Sequence, residues 1–303
     1  MIEELRSGLS GVVGITVTPF DDRDRIDEDA YRAVLRRALS PGVPVITPNG
    51  NTSEFYSLSP AERLRAVELT AEVAGDALML PGVGLDLESA IAEARRYAEL
   101  GAAGVMVHQP VHPFWSAVGW VDYHRRIADA VPQLGIVPYL RSPSIGEASI
   151  RELRDACPNL AGVKYAVPDP AAFAGLVAAL GQDRIAWVCG LAETWAPFFA
   201  GAGAVGFTSG LVNVDPDRSL RMLAALRDRD EAGAMSLWAG VRTFEGLRAR
   251  ASSEMNVSVV KEALEQLGLC SARVRPPLGP VTQADREAIA TVLESWGLER
   301  IGS

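Results

Sequence analysis

Short runs of apolar and β-branched residues alternate along the chain with longer stretches whose apolar positions recur every three or four residues. The runs are VVGITVTPF (12–20), VPVITP (43–48), LMLPGVG (78–84), GVMVHQP (104–110), GIVPYL (135–140), GVKYA (162–166), IAWVCG (185–190) and AVGFTSG (204–210). Their nearly continuous apolar character predicts strands covered on both faces, as in a parallel sheet. The intervening stretches 27–39, 60–74 and 87–100 read as helices. Ser59 before Pro60, with Glu62 following, is a helix start. Eight strand–helix units predict an α/β fold, a TIM (β/α)8 barrel.

An open doubly wound sheet is the rival, because GAGAVG (201–206) matches the spacing of a dinucleotide-binding turn. That turn must leave a strand and open a helix, whereas this one leaves a helical stretch and enters a strand. It reads as a tight helix-to-strand connection. From Asp215 onward the strand runs cease, and 216–228, 230–250, 256–267 and 282–296 read as helices. The expected organisation is a barrel catalytic domain, 1–214, followed by a C-terminal helical region, 215–303.

A net charge of −9 leaves no basic excess for phosphates, so neither nucleic acid nor an anionic membrane is an expected partner. The three cysteines, Cys157, Cys189 and Cys270, are widely spaced and read as reduced thiols. No apolar run reaches 18 residues, and the N-terminus lacks the apolar segment of a signal peptide. A cytoplasmic location is expected.

The chain has two lysines, Lys164 and Lys261, among 29 basic residues. Lys164 lies inside an apolar run, near the strand end where barrel active sites form. A poorly hydrated amine loses its proton readily and attacks carbonyl carbon, which a guanidinium cannot do. The structural alternative is a lysine that snorkels to solvent or pairs with Asp169. Tyr139 ends the preceding run, where its phenol can shuttle protons. The turn PNGNTSEF (48–55) offers Asn51, Thr52 and Ser53 to a carboxylate, with Glu54 read as a structural hydrogen-bonding residue. Gly190, Thr208 and Ser209, at the ends of the last two runs, are further candidates for substrate binding. His108 and His112 are four apart, but Pro110 and Pro113 exclude the helix that would align them, so no metal is expected.

Taken together, these segments resemble the dihydrodipicolinate synthase/N-acetylneuraminate lyase family of Schiff-base barrel enzymes. GITVTPFDDRDRIDEDAYR resembles its opening strand and helix. GNTSEF with LSPAER resembles its carboxylate-binding loop, usually written GxTGE, and the helix that follows. Tyr139 and GVKYAVPD stand where the family has its strand-five tyrosine and Schiff-base lysine. GFTSGLVN, and VVKEALEQLGL with VRPPLGPVT, match its last strand and C-terminal helices. The resemblance implies a homotetramer without metal or organic cofactor.

Departures from dihydrodipicolinate synthase concern the substrate. Its YNxP-type stretch is YLRSPS here, and Ser144 stands where an arginine would hold a dicarboxylate. Ser53 replaces the loop glycine. His112 is the best match to a tyrosine lent to the neighbouring subunit, and so a candidate relay. GNTSEF, YSLSPAER and Arg141 look more like the ketodeoxyglucarate dehydratase branch, with Arg141 a candidate for a distal carboxylate. The expected function is a Schiff-base lyase or hydro-lyase acting on a sugar-acid-derived 2-keto acid, through an imine at Lys164 with Tyr139 as relay. The alternatives are a pyruvate-dependent aldolase, a non-catalytic keto-acid-binding barrel, and a metal-dependent aldolase.

Overall fold

The computed structural model describes residues 1–300 of the 303; residues 301–303, the end of the expected helical region, lie outside the described residues. Nine parallel strand segments form the sheet: β1 (Val12–Ile15), β2 (Val45–Thr47), β3 (Leu78–Met79), β4 (Gly82–Val83), β5 (Gly104–Val107), β6 (Gly135–Leu140), β7 (Gly162–Tyr165), β8 (Ala186–Cys189) and β9 (Gly206–Ser209). Their order is β3-β2-β1-β9-β8-β7-β6-β5-β4. The two end segments, β3 and β4, belong to one run, 78–83. Along it Leu80 N donates to Ile46 O on one side, while Pro81 O accepts from Met106 N on the other. The sheet therefore closes into the eight-stranded barrel that the apolar runs predict.

Every strand but β6, which fills its run 135–140, is shorter than its apolar run. In the first run the regular strand stops at Ile15. The chain beyond it turns across the barrel mouth, where Thr16 still bonds to Thr47 O and Phe20 bridges to Ile26.

Side chains alternate between two apolar compartments, as the pleat requires. Val13, Ile15, Met106, Val137, Tyr139 and Val188 fill the barrel interior. Val105, Ile136, Val163, Tyr165, Trp187 and Phe207 face the surrounding helices. Those helices are α2 (Glu28–Leu39), α3 (Pro60–Val73), α4 (Leu87–Glu99), α5 (Ala117–Ala130), α6 (Glu147–Ala156), α7 (Pro170–Leu180), α8 (Ala192–Gly201) and α9 (Pro216–Arg227). Helix α3 starts as expected, with Pro60 in its first turn and Ser59 and Glu62 forming a reciprocal capping box.

A short N-terminal helix, α1 (Ile2–Gly8), is absent from the sequence reading. It closes the floor of the barrel. A Cβ built on Gly104 would meet Leu5 Cδ2 at 2.5 Å, and one on Gly135 would meet it at 2.6 Å. The glycines that open these strands thus make room for the plug. After α9 come α10 (Glu231–Ser253), α11 (Asn256–Gln266) and α12 (Gln283–Ser295). Helix α10 breaks at its end, where Ala251, Ser252 and Ser253 all take positive φ. Among the described residues no helix is long and apolar enough to cross a membrane.

Candidate active site

Alternation along β6 and β7 places Tyr139 and Lys164 inside the barrel, and the strand register sets them side by side. Lys164 is 5% exposed. Its Nζ lies 4.0 Å from the centroid of the Tyr139 ring and 3.6 Å from Met106 Sδ. Asp169 does not pair with it; that carboxylate caps α7 by accepting from Ala172 N. Burial, reinforced by the positive charge of Arg141, pulls the Lys164 ammonium down from the usual 10.5 to about 7. The amine is therefore substantially neutral near physiological pH. A Cβ on Gly190 would come within 3.0 Å of Lys164 Cγ, so glycine there makes room for the lysine stem.

Tyr139 is buried, which raises its phenol above the usual value. Its hydroxyl accepts from Asn51 Nδ2 at 3.3 Å. The guanidinium of Arg141 lies 5.9 Å from the ring centroid, at the exposed edge. Both arginine and tyrosine line a cavity of about 450 Å³ at the C-terminal mouth of the barrel, together with Asn51, Thr52, Lys164, Gly190 and Thr208.

Two expected ligands do not face this cavity. Ser53 Oγ donates to Thr16 O at 2.6 Å and accepts from Gly50 N at 3.0 Å, which consumes it in holding the loop against β1. Ser209 follows Thr208 on β9, and alternation turns it outward, where it donates to Glu193 Oε1 at 2.5 Å. His112 also stands apart. It is exposed on the loop after β5, and its Nδ1 accepts from Phe114 N at 3.0 Å. His108 is buried, stacked on Phe55 and bonded through Nε2 to Asn49 O at 2.8 Å. Burial pushes its pKa down to about 3, so it stays neutral.

The Asn51–Thr52 loop is braced from behind. Glu54 adopts positive φ and its carboxylate accepts from Lys261 Nζ in a fully buried pair. Glu54 Oε2 also accepts from Arg275 N at 3.0 Å, and Lys261 donates to Arg273 O at 2.8 Å. The chain's second lysine thus ties α11 and the segment after it to the loop, and Glu54 has the structural place expected of it. Burial lowers the pKa of Lys261, and Glu54 opposes that.

The sequence reading missed the far wall of the cavity, made by Glu245 and Arg248 of α10 and Asn256 of α11. Behind that wall Glu193 accepts from Ser209 and Ser219, and burial with the nearby Glu245 charge pushes its carboxyl up to about 7. The available signal was the interrupted helical pattern at SSEMN, which marks where α10 stops beside the barrel mouth. Among the described residues no three His, Cys, Asp or Glu side chains cluster as metal ligands.

A buried lysine beside a tyrosine at the mouth of a closed parallel barrel is the site geometry of a TIM-barrel enzyme. The sequence profile of the dihydrodipicolinate synthetase family matches residues 8–296. The chain belongs to that family, and it is a lyase. A probable 5-dehydro-4-deoxyglucarate dehydratase of Rhizobium rhizogenes is 31% identical, covering 96% of this chain and 97% of its own. A 4-hydroxy-tetrahydrodipicolinate synthase of Thermus thermophilus is 30% identical, covering 93% and 94%. Among solved structures, the dihydrodipicolinate synthase of Oceanobacillus iheyensis superposes with a TM-score of 0.92 at 36% identity, over 98% of this chain and 99% of that one. The same enzyme from Bacillus clausii gives 0.92 at 39%, over 97% and 100%.

Proposed function

We propose that this lyase dehydrates a sugar-acid-derived 2-keto acid through an imine on Lys164. The observation that carries the reading is the amine itself: buried, without a carboxylate partner among the described residues, and set against Tyr139. The amine attacks C2 of the keto acid, and Tyr139 moves protons as water leaves the carbinolamine. The protonated imine then acts as an electron sink. A C3 proton departs, the enamine expels the C4 hydroxyl as water, and hydrolysis releases the product from Lys164. Asn51 and Thr52 hold the C1 carboxylate, and Arg141 holds a distal one across the mouth.

The relative from Rhizobium rhizogenes supports the dehydratase branch, as does the cavity, which is roomy for a six-carbon acid. A second reading, condensation of pyruvate with an aldehyde, is favoured by the higher identity to the two solved dihydrodipicolinate synthases. Against it, Ser144 is exposed where that enzyme would need its arginine. The readings separate on incubation with a 3-deoxy-2-keto hexarate. Loss of water, alone or with carbon dioxide, detected by mass spectrometry supports dehydration. An unchanged hexarate beside productive pyruvate–aldehyde condensation overturns it.

We also propose that the chain self-associates, with the tetramer of the family resemblance as the expected state. Phe114 is 88% exposed, and it is flanked in sequence by exposed Val111, on the same loop as His112, and by exposed Val118, in the first turn of α5. An apolar cluster of this kind marks an association surface.

A further inference from the structure

The cavity wall opposite Arg141 is built around one guanidinium. In the closed ring, β6 lies four strands from β1 and hence across the mouth from it. Arg141 follows β6, whereas Arg248 of α10 reaches the turn after β9, the strand beside β1 in the ring. Arg248 is buried, and a Cβ on Gly210 would meet its Nη2 at 2.4 Å, so the glycine after β9 admits it. Its Nη1 donates to Glu245 Oε1 at 2.5 Å, Nε to Asn256 O at 3.4 Å, and Nη2 to Asn256 Oδ1 at 3.1 Å.

A guanidinium has donors and no acceptor, so these bonds determine which way the Asn256 amide faces. Its oxygen turns to Arg248. The Thr52 hydroxyl addresses that same oxygen at 3.5 Å, which places the amide beside the loop read as the carboxylate cradle. Asn256 Nδ2 has no protein partner among the described residues, and Asn256 lines the cavity. Glu245 meanwhile neutralises Arg248, so the wall presents a neutral donor rather than a second bare cation.

We infer that Arg248 is a positioning residue for keto-acid binding: it locks Asn256 so that Nδ2 becomes a third donor, beside Asn51 and the Thr52 backbone N–H, to the C1 carboxylate. This rests on the reading of Lys164 as the imine-forming residue. It adds the device that sets affinity for the keto acid, in a wall contributed by the helices beyond the barrel.

The test measures the pyruvate concentration that half-saturates borohydride-trapped adduct on Lys164, by intact mass. Asn256→Ala is expected to raise it about tenfold, the size of one lost hydrogen bond to a charged group. Arg248→Gln should raise it similarly, and the double variant no further, because both changes remove the same donor. Asn256→Asp keeps the bond to Arg248 but turns an anionic oxygen toward the carboxylate, so it should weaken binding more than Asn256→Ala. That variant preserves the link a purely structural role would need, and it answers the question should Arg248→Gln fail to fold. Wild-type half-saturation in Asn256→Asp, or additive losses in the double variant, overturns the inference alone. A wild-type protein that traps no adduct overturns both it and the reading on which it rests.

Discussion

Among single residues, the proposed chemistry rests on an amine held away from water, Lys164. In the proposed mechanism the proton that Lys164 carries below about pH 7 blocks attack, so kcat/KM should climb as pH rises through 7 and then level off. Arg141 contributes to that depression. Arg141→Gln should therefore move the rising limb to higher pH as well as weaken binding of dicarboxylates, both readable in pH–rate profiles. The same burial has a stability consequence. The unfolded chain holds the lysine proton up to 10.5 and the folded chain only to about 7, so stability rises with pH across that window. Lys164→Met removes the penalty. It should raise the melting temperature by a few degrees at pH 7 in scanning calorimetry, with the difference shrinking toward pH 10.5. That Lys164 and Tyr139 are neighbours was legible in the sequence, since both lie near the ends of consecutive apolar runs, which a parallel barrel sets side by side. Ser53 and Ser209 were misplaced for a reason of the same scale. In a strand or tight turn a neighbour one position away faces the other side, and only the register tells which hydroxyl looks inward.

Among the elements, the loop after β2 depends on a contact 207 residues away in the chain. Lys261→Met leaves Glu54 buried without its cation, a change that costs roughly 3–5 kcal/mol where such pairs are broken. Urea denaturation should show that loss, and the loosened Asn51–Thr52 loop should raise KM for the keto acid. No local pattern announces such a pair, although a chain that writes 27 of its 29 basic residues as arginine marks both lysines by contrast. Helix α1 escaped the reading because its seven residues hold barely two turns and its apolar positions meet no partner nearby in sequence. Its role was written elsewhere, in the glycines that open β5 and β6. Leu5→Ala should therefore destabilise the barrel by about 2–5 kcal/mol, the range for deleting a buried leucine side chain. The α10–α11 wall was equally hidden, because helical periodicity tells which face is apolar but not which strand end it covers.

For the whole molecule, closure of the sheet explains how one chain supplies a cavity from six or more separate loops. The eightfold recurrence of apolar runs made the barrel legible, since a parallel strand covered on both faces leaves a continuous hydrophobic signature. Assembly was not legible in that way, because an association surface is an apolar patch without periodicity. Phe114→Asp places a charge in the exposed cluster with Val111 and Val118, and light scattering should then report a smaller species than the wild type. An unchanged mass would remove that surface from the proposed interface. The central claim, an imine on one particular lysine, has a direct measurement. The protein is incubated with pyruvate, reduced with borohydride, digested, and both lysine-containing peptides are weighed. The account predicts the reduced adduct on the Lys164 peptide, none on the Lys261 peptide, and none anywhere in Lys164→Arg. An unmodified Lys164 in well-folded protein, or undiminished turnover in Lys164→Arg, would contradict it.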